Sequence, residues 1–331
     1  MLAGEFRRKL LCCLADGRFH SGTELAEVLG VSRTAVWKHT RELESLGLEV
    51  AALPGKGYRL MSPLELLDEA AIREHLSAEA ALLLAALELH EQIDSTNSHL
   101  MRAGVAGAPT GAVCLAETQT AGRGRVGRDW ISPFGANVYL SVLWRFDEPS
   151  RVAGLSLAVG VAVVRALASL GVAGVGLKWP NDLLWGDAKL GGILLEVVGE
   201  THGPCRVVVG VGLNRYLPSS AGQGIDQAWT DLARVVGGGA APPRNRLIAA
   251  LLSDLLPMLK AYAEHGLEPY LPEWRQSHHL QGREAVMHQG ETNIRGRIED
   301  VAADGLLVMR LEDGSLRRFA SGDVRLRVMA E

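Results

Sequence analysis

The sequence predicts an α/β (α+β) protein of three domains, and three changes of pattern along its 331 residues predict it. Short helical segments and one Gly/Pro turn fill the first part. Apolar β-like runs then alternate with helices, and finally short β-like runs are separated by Gly-containing turns. We therefore predict an N-terminal domain over residues 1–64, a central domain over 65–277 and an all-β domain over 278–331.

The composition is that of an ordinary globular protein, with 47% hydrophobic and 22% charged residues. Its formal net charge of −4 does not attract nucleic acid globally, so any such contact needs a local patch. The four cysteines form no C-x-x-C pair, which favours a reducing compartment. Because no apolar run reaches the length of a signal peptide core or a membrane span, we expect a soluble, cytoplasmic protein without membrane contact.

The first domain carries the start signals of two neighbouring helices. Ser21 and Glu24 form a capping box, and Ser32 begins the next helix after a turn at Gly30. A Pro-Gly-Lys-Gly turn at 54–57 then joins two β-like runs. This order of elements predicts a winged helix-turn-helix.

The second of these helices has the side chains of a DNA reader. Polar and aromatic residues lie away from its apolar stripe, at Arg33, Thr34, Trp37, Lys38 and Arg41, and Lys56 and Arg59 lie on the wing. Nine basic against seven acidic residues within 1–62 make the charge argument alone weak, so a protein-contact domain remains an alternative. If the domain reads an operator, a dimer is expected.

The segment Gly122–Trp130, with the sequence GRGRVGRDW, is the most informative in the chain. Its glycines let the backbone approach a ligand, and its arginines can clamp phosphates or a carboxylate. A disordered RG-rich segment is the alternative, but apolar runs on both sides disfavour it. Neither a Walker nor a Rossmann glycine motif is present in this segment.

A second constellation is KWPND at 178–182, followed by KLGG at 189–192. Asn181 and Asp182 would follow a strand end, where α/β sheets place ligand-binding groups, and Lys189 would open the next strand. Two lysines and one aspartate near an arginine loop can neutralise phosphates and hold a metal. A surface turn with solvated charges is the alternative.

Two shorter motifs stay ambiguous on local grounds. DSTN at 94–97 fits a helix cap or a set of hydrogen-bonding groups for a small polar ligand. GVGLN at 210–214 fits a plain loop or a close approach to a nucleotide, in which Asn214 reaches a base edge.

Taken together, these motifs closely resemble the bacterial bifunctional biotin–protein ligases that also repress the biotin operon. The resemblance covers nearly the whole chain, through FHSGTELAEVLGVSRTAVWKH, PGKGYRL, DSTN, ETQTAGRGRVGRDWISPFGANVYLS, KWPNDLLWGDAKLGGILLE, GVGLN and the C-terminal β segment. The combination of GRGRxGR with KWPNDLLW…KLGG is highly specific. The resemblance implies a winged helix, a central mixed-sheet domain related to class II synthetases, and an SH3-like β-barrel.

The resemblance also implies roles for individual residues. Biotin would contact Ser95, Thr96, Asn97, Gln119, Arg123, Gly124, Arg125 and Lys189. Because the reactants of such a ligase are anions, we expect Arg123, Arg125, Lys178 and Lys189 to be catalytic by their charge, with Asp182 as a hypothetical partner of the acceptor amine, and we expect no protein ligand of a metal. Trp130 would close over adenine, with Asn214 near it. Val126 lies inside the arginine loop; if a relative has a charge there, the phosphate affinity would differ modestly.

The family's activity has two steps. ATP and biotin, with Mg²⁺, give biotinyl-5′-AMP, and biotin then passes to a lysine of the biotin carboxyl carrier protein of acetyl-CoA carboxylase. The adenylate-bound chain is expected to form a homodimer on operator DNA of biotin synthesis genes. Three alternatives remain: a ligase without repression, a ligand-sensing transcription factor without ligase activity, and a lipoate-type ligase. The intact arginine loop and Lys189 disfavour the second, and GRGRxGR followed by KWPND disfavours the third.

Overall fold

The computed structural model describes residues 3–62, 64–198, 203–237, 240–322 and 324–328. Within them the chain has the three predicted parts: a helical domain with a β-hairpin, a central mixed sheet and a C-terminal β-rich domain. No helix among the described residues is long and apolar enough to cross a membrane. The exact domain boundaries stay a prediction.

The first domain is a three-helix unit followed by a hairpin. Its elements are α1 (Ala3–Leu14), α2 (Gly22–Leu29), α3 (Arg33–Glu44), β1 (Val50–Leu53) and β2 (Gly57–Leu60). The capping box of Ser21 and Glu24 is present, and the Ser32 side chain accepts from the backbone of Ala35. These caps satisfy amides that have no partner inside the helix, and so they fix where α2 and α3 begin.

A glycine is required where the hairpin meets α2. Gly57 has a φ of 101°, and a Cβ there would lie 1.9 Å from the carbonyl oxygen of His20. The backbone amides of His20 and Tyr58 each donate a hydrogen bond to the carbonyl of the other residue. The PGKG turn therefore also anchors the wing to the start of α2.

The central domain is a seven-stranded mixed sheet flanked by helices. Its strands are β3 (Ala86–Ile93), β4 (Ala112–Gln119), β5 (Val138–Phe146), β6 (Val175–Lys178), β7 (Asp182–Trp185), β8 (Ala188–Val198) and β9 (Cys205–Leu213). Its helices are α4 (Glu69–Glu74), α5 (Ala78–Leu83), α6 (Thr96–Val105), α7 (Leu155–Ser169), α8 (Ser219–Gly222), α9 (Leu232–Val235), α10 (Arg244–His265) and α11 (Leu271–Gln276). The strand order is β3-β4-β5-β9-β8-β7-β6, in which only β3 and β4 are parallel.

Helices cover both faces of this sheet. The apolar α7 and the long α10 bury the larger core against one face. The opposite face, near β4, β5 and β9, carries a smaller apolar cluster that includes Leu100 of α6. Because α6 starts directly after β3, the turn between them lies at the end of the sheet where the polar motifs converge.

The C-terminal domain is a five-stranded antiparallel sheet in the order β13-β12-β11-β10-β14. Its strands are β10 (Glu284–Gln289), β11 (Thr292–Val301), β12 (Leu307–Leu311), β13 (Leu316–Phe319) and β14 (Val324–Val328). The predicted turns at Gly290, Gly305 and Gly314 are present, each glycine with a positive φ. The Trp179 indole donates to the carbonyl of Gly305 (3.1 Å), which ties this domain to the central sheet.

Two predictions that the sequence makes for the start of the central domain are corrected or resolved. The pattern over residues 63–82 predicts a helix, but the described part holds only the short α4 and α5, because Asp68 and Ser77 each cap a new helix start; residue 63 lies outside the described residues. The pattern over residues 82–93 is ambiguous between helix and strand, and most of this span forms β3. The sequence does not predict the short β7 inside the KWPNDLLW motif.

Candidate functional site

One cavity of about 620 Å³ collects most of the polar motifs. Its lining comes from the turn between β3 and α6, the end of β4, the arginine loop, and β7 and β8. The C-terminal domain adds Arg283 and Arg327 at the rim. Residues as far apart in the chain as Ser95 and Arg327 thus face one space.

One wall of the cavity is a closed hydrogen-bond network. The Gln119 carbonyl oxygen accepts from the Thr96 amide (2.9 Å) and hydroxyl (3.2 Å), and its amide donates to the Ser132 hydroxyl (3.0 Å). Ser141 donates to the Asn97 oxygen at 2.6 Å, with the Thr96 hydroxyl at 2.7 Å. Such mutual bonding holds these side chains in fixed orientations before any ligand arrives.

The DSTN motif is both a cap and a wall of the cavity. Ser95 is the N-cap of α6 and accepts from the Ser98 amide, while Ser95, Thr96 and Asn97 are all buried and line the cavity. Gly210 leaves the space that Asn97 fills, because a Cβ there would lie 2.2 Å from the Asn97 oxygen. The motif can therefore act both as a helix cap and as a set of hydrogen-bonding groups for a ligand.

The arginine loop is ordered by its own backbone. The Gly124 amide donates to the Arg128 carbonyl (2.7 Å), and the Trp130 amide donates to the Gly122 carbonyl (2.9 Å). Between them Val126 has a positive φ of 54°, which is rare for a β-branched residue and marks local strain.

The side chains of this loop point in different directions. Arg123 pairs with Glu196 (2.8 Å) and donates to the Ser98 hydroxyl (3.3 Å). Arg125 donates to the Asn181 side chain (3.1 Å) and to the carbonyls of Ser321 and Gly322, the latter at 2.8 Å. Arg125 therefore links the loop to the KWPND motif and to the C-terminal domain.

A second cluster of charge faces the loop from β7 and β8. The Lys189 ammonium lies 2.7 Å from a carboxylate oxygen of Asp182, and both side chains are 17% exposed. Burial lowers the pKa of the nearby Lys178, against the opposing effect of Asp182. With the loop arginines, these lysines give the cavity a strong excess of donors for anions.

Trp130 lies across the floor of the cavity. A Cβ on Gly212 would come within 2.6 Å of the indole, so glycine is needed there, and the Lys189 ammonium lies 5.7 Å from the ring centroid. The indole nitrogen of Trp130 is buried, and no described residue accepts a hydrogen bond from it. A buried donor with no partner costs free energy, and this one lies where a ligand could accept from it.

Asn214 is the one predicted pocket residue that does not line the cavity. Its side chain is buried and donates to the Thr230 carbonyl (3.0 Å), while its backbone amide donates to the Leu190 carbonyl (2.9 Å). These bonds hold the segment around Thr230 beside β8, and residues 226–228 of that segment do line the cavity.

The predicted DNA-reading residues form a separate surface. Arg33, Thr34, Trp37, Lys38 and Arg41 are all exposed on one side of α3, and Lys56 is exposed on the wing. The Arg41 guanidinium lies 5.0 Å from the Trp37 ring centroid, and Arg59 lies 4.8 Å from the ring of Phe19. The helix thus presents a mixed basic and aromatic face to solvent.

Comparison with known proteins decides the family. Family models match three segments: an HTH domain at 7–59, the biotin/lipoate A/B protein ligase family at 89–214, and the biotin protein ligase C terminal domain at 282–327. The bifunctional ligase/repressor BirA of Escherichia coli is 38% identical over 96% of both chains. This chain belongs to the BirA family.

Further BirA relatives extend the likeness. The BirA of Bacillus subtilis is 31% identical over 94% of this chain and 95% of its own length. The biotin protein ligase from Aquifex aeolicus, solved with biotin and ATP, has a TM-score of 0.63 at 25% identity, covering 74% of this chain and all of its own. The predicted fold class and enzyme class are confirmed by these matches, and nothing favours the non-enzyme alternative.

Sequence reasoning assigned no role to several residues of the site. Ser141 is a buried polar residue in the largely apolar β5, and that anomaly was a usable signal. Glu196, which bonds both Asn97 (2.9 Å) and Arg123, gives a signal of the same kind, since it is a charged residue between leucines and valines of β8. Arg283 and Arg327 come from the C-terminal domain, so only the fold brings them to the cavity.

Proposed function

We propose that this BirA-family chain activates biotin with ATP to biotinyl-5′-AMP and transfers the biotin to a lysine of a biotin carboxyl carrier protein. The observation that carries the proposal is the cavity itself. It joins a neutral hydrogen-bonding wall at 95–97 to a cationic side formed by the arginine loop and Lys189. A ligand with a polar uncharged ring at one end and an anion at the other fits this division.

The neutral wall would hold the ureido ring of biotin. Ser95, Thr96, Asn97 and Gln119 offer both donors and acceptors, and their mutual bonds limit the entropy lost on binding. Arg123, Gly124 and Arg125 would lie over the adenylate, with Lys189 at the carboxylate or the α-phosphate. Trp130 would cover the adenine, with its unpaired indole donor available to the nucleotide, and Asn214 would support this side through the segment at Thr230.

The first step is a displacement at phosphorus. The biotin carboxylate attacks the α-phosphorus of ATP, a C–O–P anhydride bond forms, and pyrophosphate leaves. Both reactants are anions, so catalysis needs screening, alignment and stabilisation of the spreading charge. Arg123, Arg125, Lys178 and Lys189 have the required sign, and no nucleophile on the protein is needed.

Mg²⁺ fits this site as an ion that arrives with ATP. Among the described carboxylates that line the cavity, Asp182 pairs with Lys189 and Asp187 with Arg283, so Asp129 and Asp226 would hold the ion together with phosphate oxygens. When bound, the ion would neutralise charge on the leaving pyrophosphate. The residues of the chain would still carry the positioning of biotin and of the α-phosphate.

In the second step a carrier lysine amine attacks the carbonyl of the mixed anhydride, and AMP leaves. The attacking amine must be neutral, and Asp182, which lines the cavity, would orient the amine or accept its proton. Asp182→Asn, supplied with preformed biotinyl-5′-AMP, should transfer biotin more slowly. Transfer at the normal rate would remove Asp182 from this role.

Biotin-dependent release of pyrophosphate is the direct test of the first step. Purified chain with ATP, Mg²⁺ and biotin should release pyrophosphate, and release should stop when biotin is omitted. A competition between biotin and lipoate in the same assay addresses the lipoate alternative. Activity with lipoate alone would contradict the proposed substrate.

The winged helix supports a second function as a repressor of biotin synthesis genes. An arginine loop closed over the adenylate would favour a homodimer, and such a dimer would present two α3 helices to a palindromic operator. A gel shift with DNA from upstream of biotin synthesis genes should depend on biotinyl-5′-AMP and weaken in Lys38→Ala. The exposed Lys9→Ala in α1 is the matched control, and binding that ignores the adenylate would contradict the coupling.

A further inference from the structure

A group of metal-binding side chains lies outside the cavity, on the face of the sheet that α6 covers. His90 lies in β3, Cys114 in β4 and His99 in α6. The parallel register places Glu88 opposite Cys114, and His90 follows on the same face of β3 because side chains alternate along a strand. Neither the proposed reaction nor the proposed DNA contact uses these residues.

The geometry of the group is compact. One ligand atom from each of His90, His99 and Cys114 lies within 4.8 Å of the other two. The imidazole rings are 4.8 Å apart at a steep angle of 61°. The Glu88 carboxylate lies 2.7 Å from the His99 ring nitrogen and 3.4 Å from that of His90. Among the described residues no other trio of His, Cys, Asp or Glu is gathered in this way.

The chemistry of the group suits a borderline-soft divalent cation. Zn²⁺ prefers thiolate and imidazole ligands in a tetrahedral set, and three protein ligands leave one position for a carboxylate or water. We propose that His90, His99 and Cys114 form a Zn²⁺ site, with Glu88 as the fourth ligand.

Burial gives this site both a closed and an open side. Cys114 is fully buried, whereas His90 and His99 keep 30% and 25% of their side-chain exposure, so an ion can enter from solvent. Binding would replace the S–H bond of Cys114 with an S–Zn bond and release one proton to solvent.

The position of the site gives it a structural consequence. His90 lies just before the turn at 94–97 and His99 just after it. An ion between them would clamp β3 to α6 and so restrain the turn whose side chains form the neutral wall of the cavity. The ordinary alternative is a buried apolar cysteine beside two surface histidines that share a carboxylate.

Cobalt(II) titration of the untagged full chain separates these alternatives. Because Cys12 and Cys13 are adjacent and accessible, the titration uses the Cys12→Ser/Cys13→Ser background. A thiolate-to-cobalt absorption band should appear with one-to-one stoichiometry, and Zn²⁺ should abolish it. Cys114→Ser should remove the band, while Cys205→Ser, at the other buried cysteine, should keep it.

The histidines supply the decisive variants, because they are partly exposed and their loss does not threaten folding. His90→Ala and His99→Ala should each weaken binding by at least about 10–100-fold, the range seen when metal sites lose a supporting group. The exposed His265→Ala is the matched control and should bind normally. Absence of the thiolate band, or equal affinity in the His99→Ala variant, would overturn the proposal.

Discussion

Two ion pairs in the central domain have similar partners and opposite surroundings. Arg244 of α10 and Glu117 of β4 are almost completely buried, at 0% and 2% side-chain exposure. Lys189 and Asp182 pair at 2.7 Å in the cavity, each 17% exposed. The first pair is enclosed by further protein bonds, whereas the second faces a space of about 620 Å³.

The difference lies in what else each cation can bind. Arg244 donates to Glu117, to the carbonyl of Asn137 (2.8 Å) and to that of Ala116 (3.2 Å). All three nitrogens of its guanidinium group therefore have partners within the protein. The same carboxylate of Glu117 accepts from the Leu67 amide (2.6 Å), which fixes the segment that enters the central domain. Among the described residues Lys189 has one ion-pair partner, Asp182, and the cavity lies beside it, so an incoming anion can replace or share that partner.

The largest expected effect is on folding. Arg244→Met should lower the free energy of unfolding by about 3–5 kcal/mol, because it leaves Glu117 as a buried charge without its partner. Urea unfolding followed by circular dichroism measures the loss. The matched control is Arg165→Met, which breaks the half-exposed pair with Glu273 and should cost about 1 kcal/mol or less. Equal losses of unfolding free energy in both variants would contradict the view that burial makes the Arg244–Glu117 pair the more important one for folding.

The next effect is on chemistry, not on folding. Lys189→Ala should reduce biotin-dependent pyrophosphate release by about 10²–10³-fold, the usual loss when a group aimed at developing charge is removed. Its unfolding midpoint should stay close to that of the unaltered chain. Lys260→Ala, which removes an exposed lysine of α10, is the control and should release pyrophosphate normally. Normal release by the Lys189→Ala variant would refute the role assigned to the cavity pair.

The contrast also shows what a sequence can predict. The arginine loop, KWPND and DSTN are contiguous motifs whose residue types already state their chemistry, and the winged helix follows from local caps and turns. Arg244 and Glu117 meet only through long-range packing: they are 127 residues apart, and Arg244 looks like an ordinary helix-start residue. Likewise, no local pattern places Arg283 of the C-terminal domain beside the cavity, or His90 beside Cys114.

A buried titratable group without a partner gives a third, smaller effect. His278 lies against the Trp274 ring (4.4 Å between centroids), and neither of its ring nitrogens has a hydrogen-bond partner among the residues that the structure describes. Burial lowers its pKa to about 4; Asp300 opposes the shift and His279 adds to it. Since an unfolded histidine titrates near 6.5, the unfolded state takes up the proton first as the pH falls.

Stability should therefore be complete above about pH 6.5 and decline toward pH 4, by an amount on the order of 1–3 kcal/mol from this residue. Many carboxylates also titrate in this window, so the quantity to measure is the difference in unfolding free energy between the unaltered chain and His278→Phe. As the pH falls, the unaltered chain should lose unfolding free energy relative to His278→Phe. A constant difference between pH 7 and pH 4 would mean that His278 is protonated in the fold or solvated there.

The smallest effect concerns an ion pair at the mouth of the cavity. Arg123 is 50% exposed and Glu196 15% exposed, so solvent screens their attraction, unlike that of Arg244 and Glu117. Glu196→Gln keeps an oxygen that can accept from the Asn97 amide, and it should change the free energy of unfolding by less than about 1 kcal/mol. The change should shrink further at high salt. A loss of unfolding free energy as large as that of Arg244→Met would contradict this. Burial would then not be what makes an ion pair of this chain important for folding, and the place of the pair in the hydrogen-bond network would matter more.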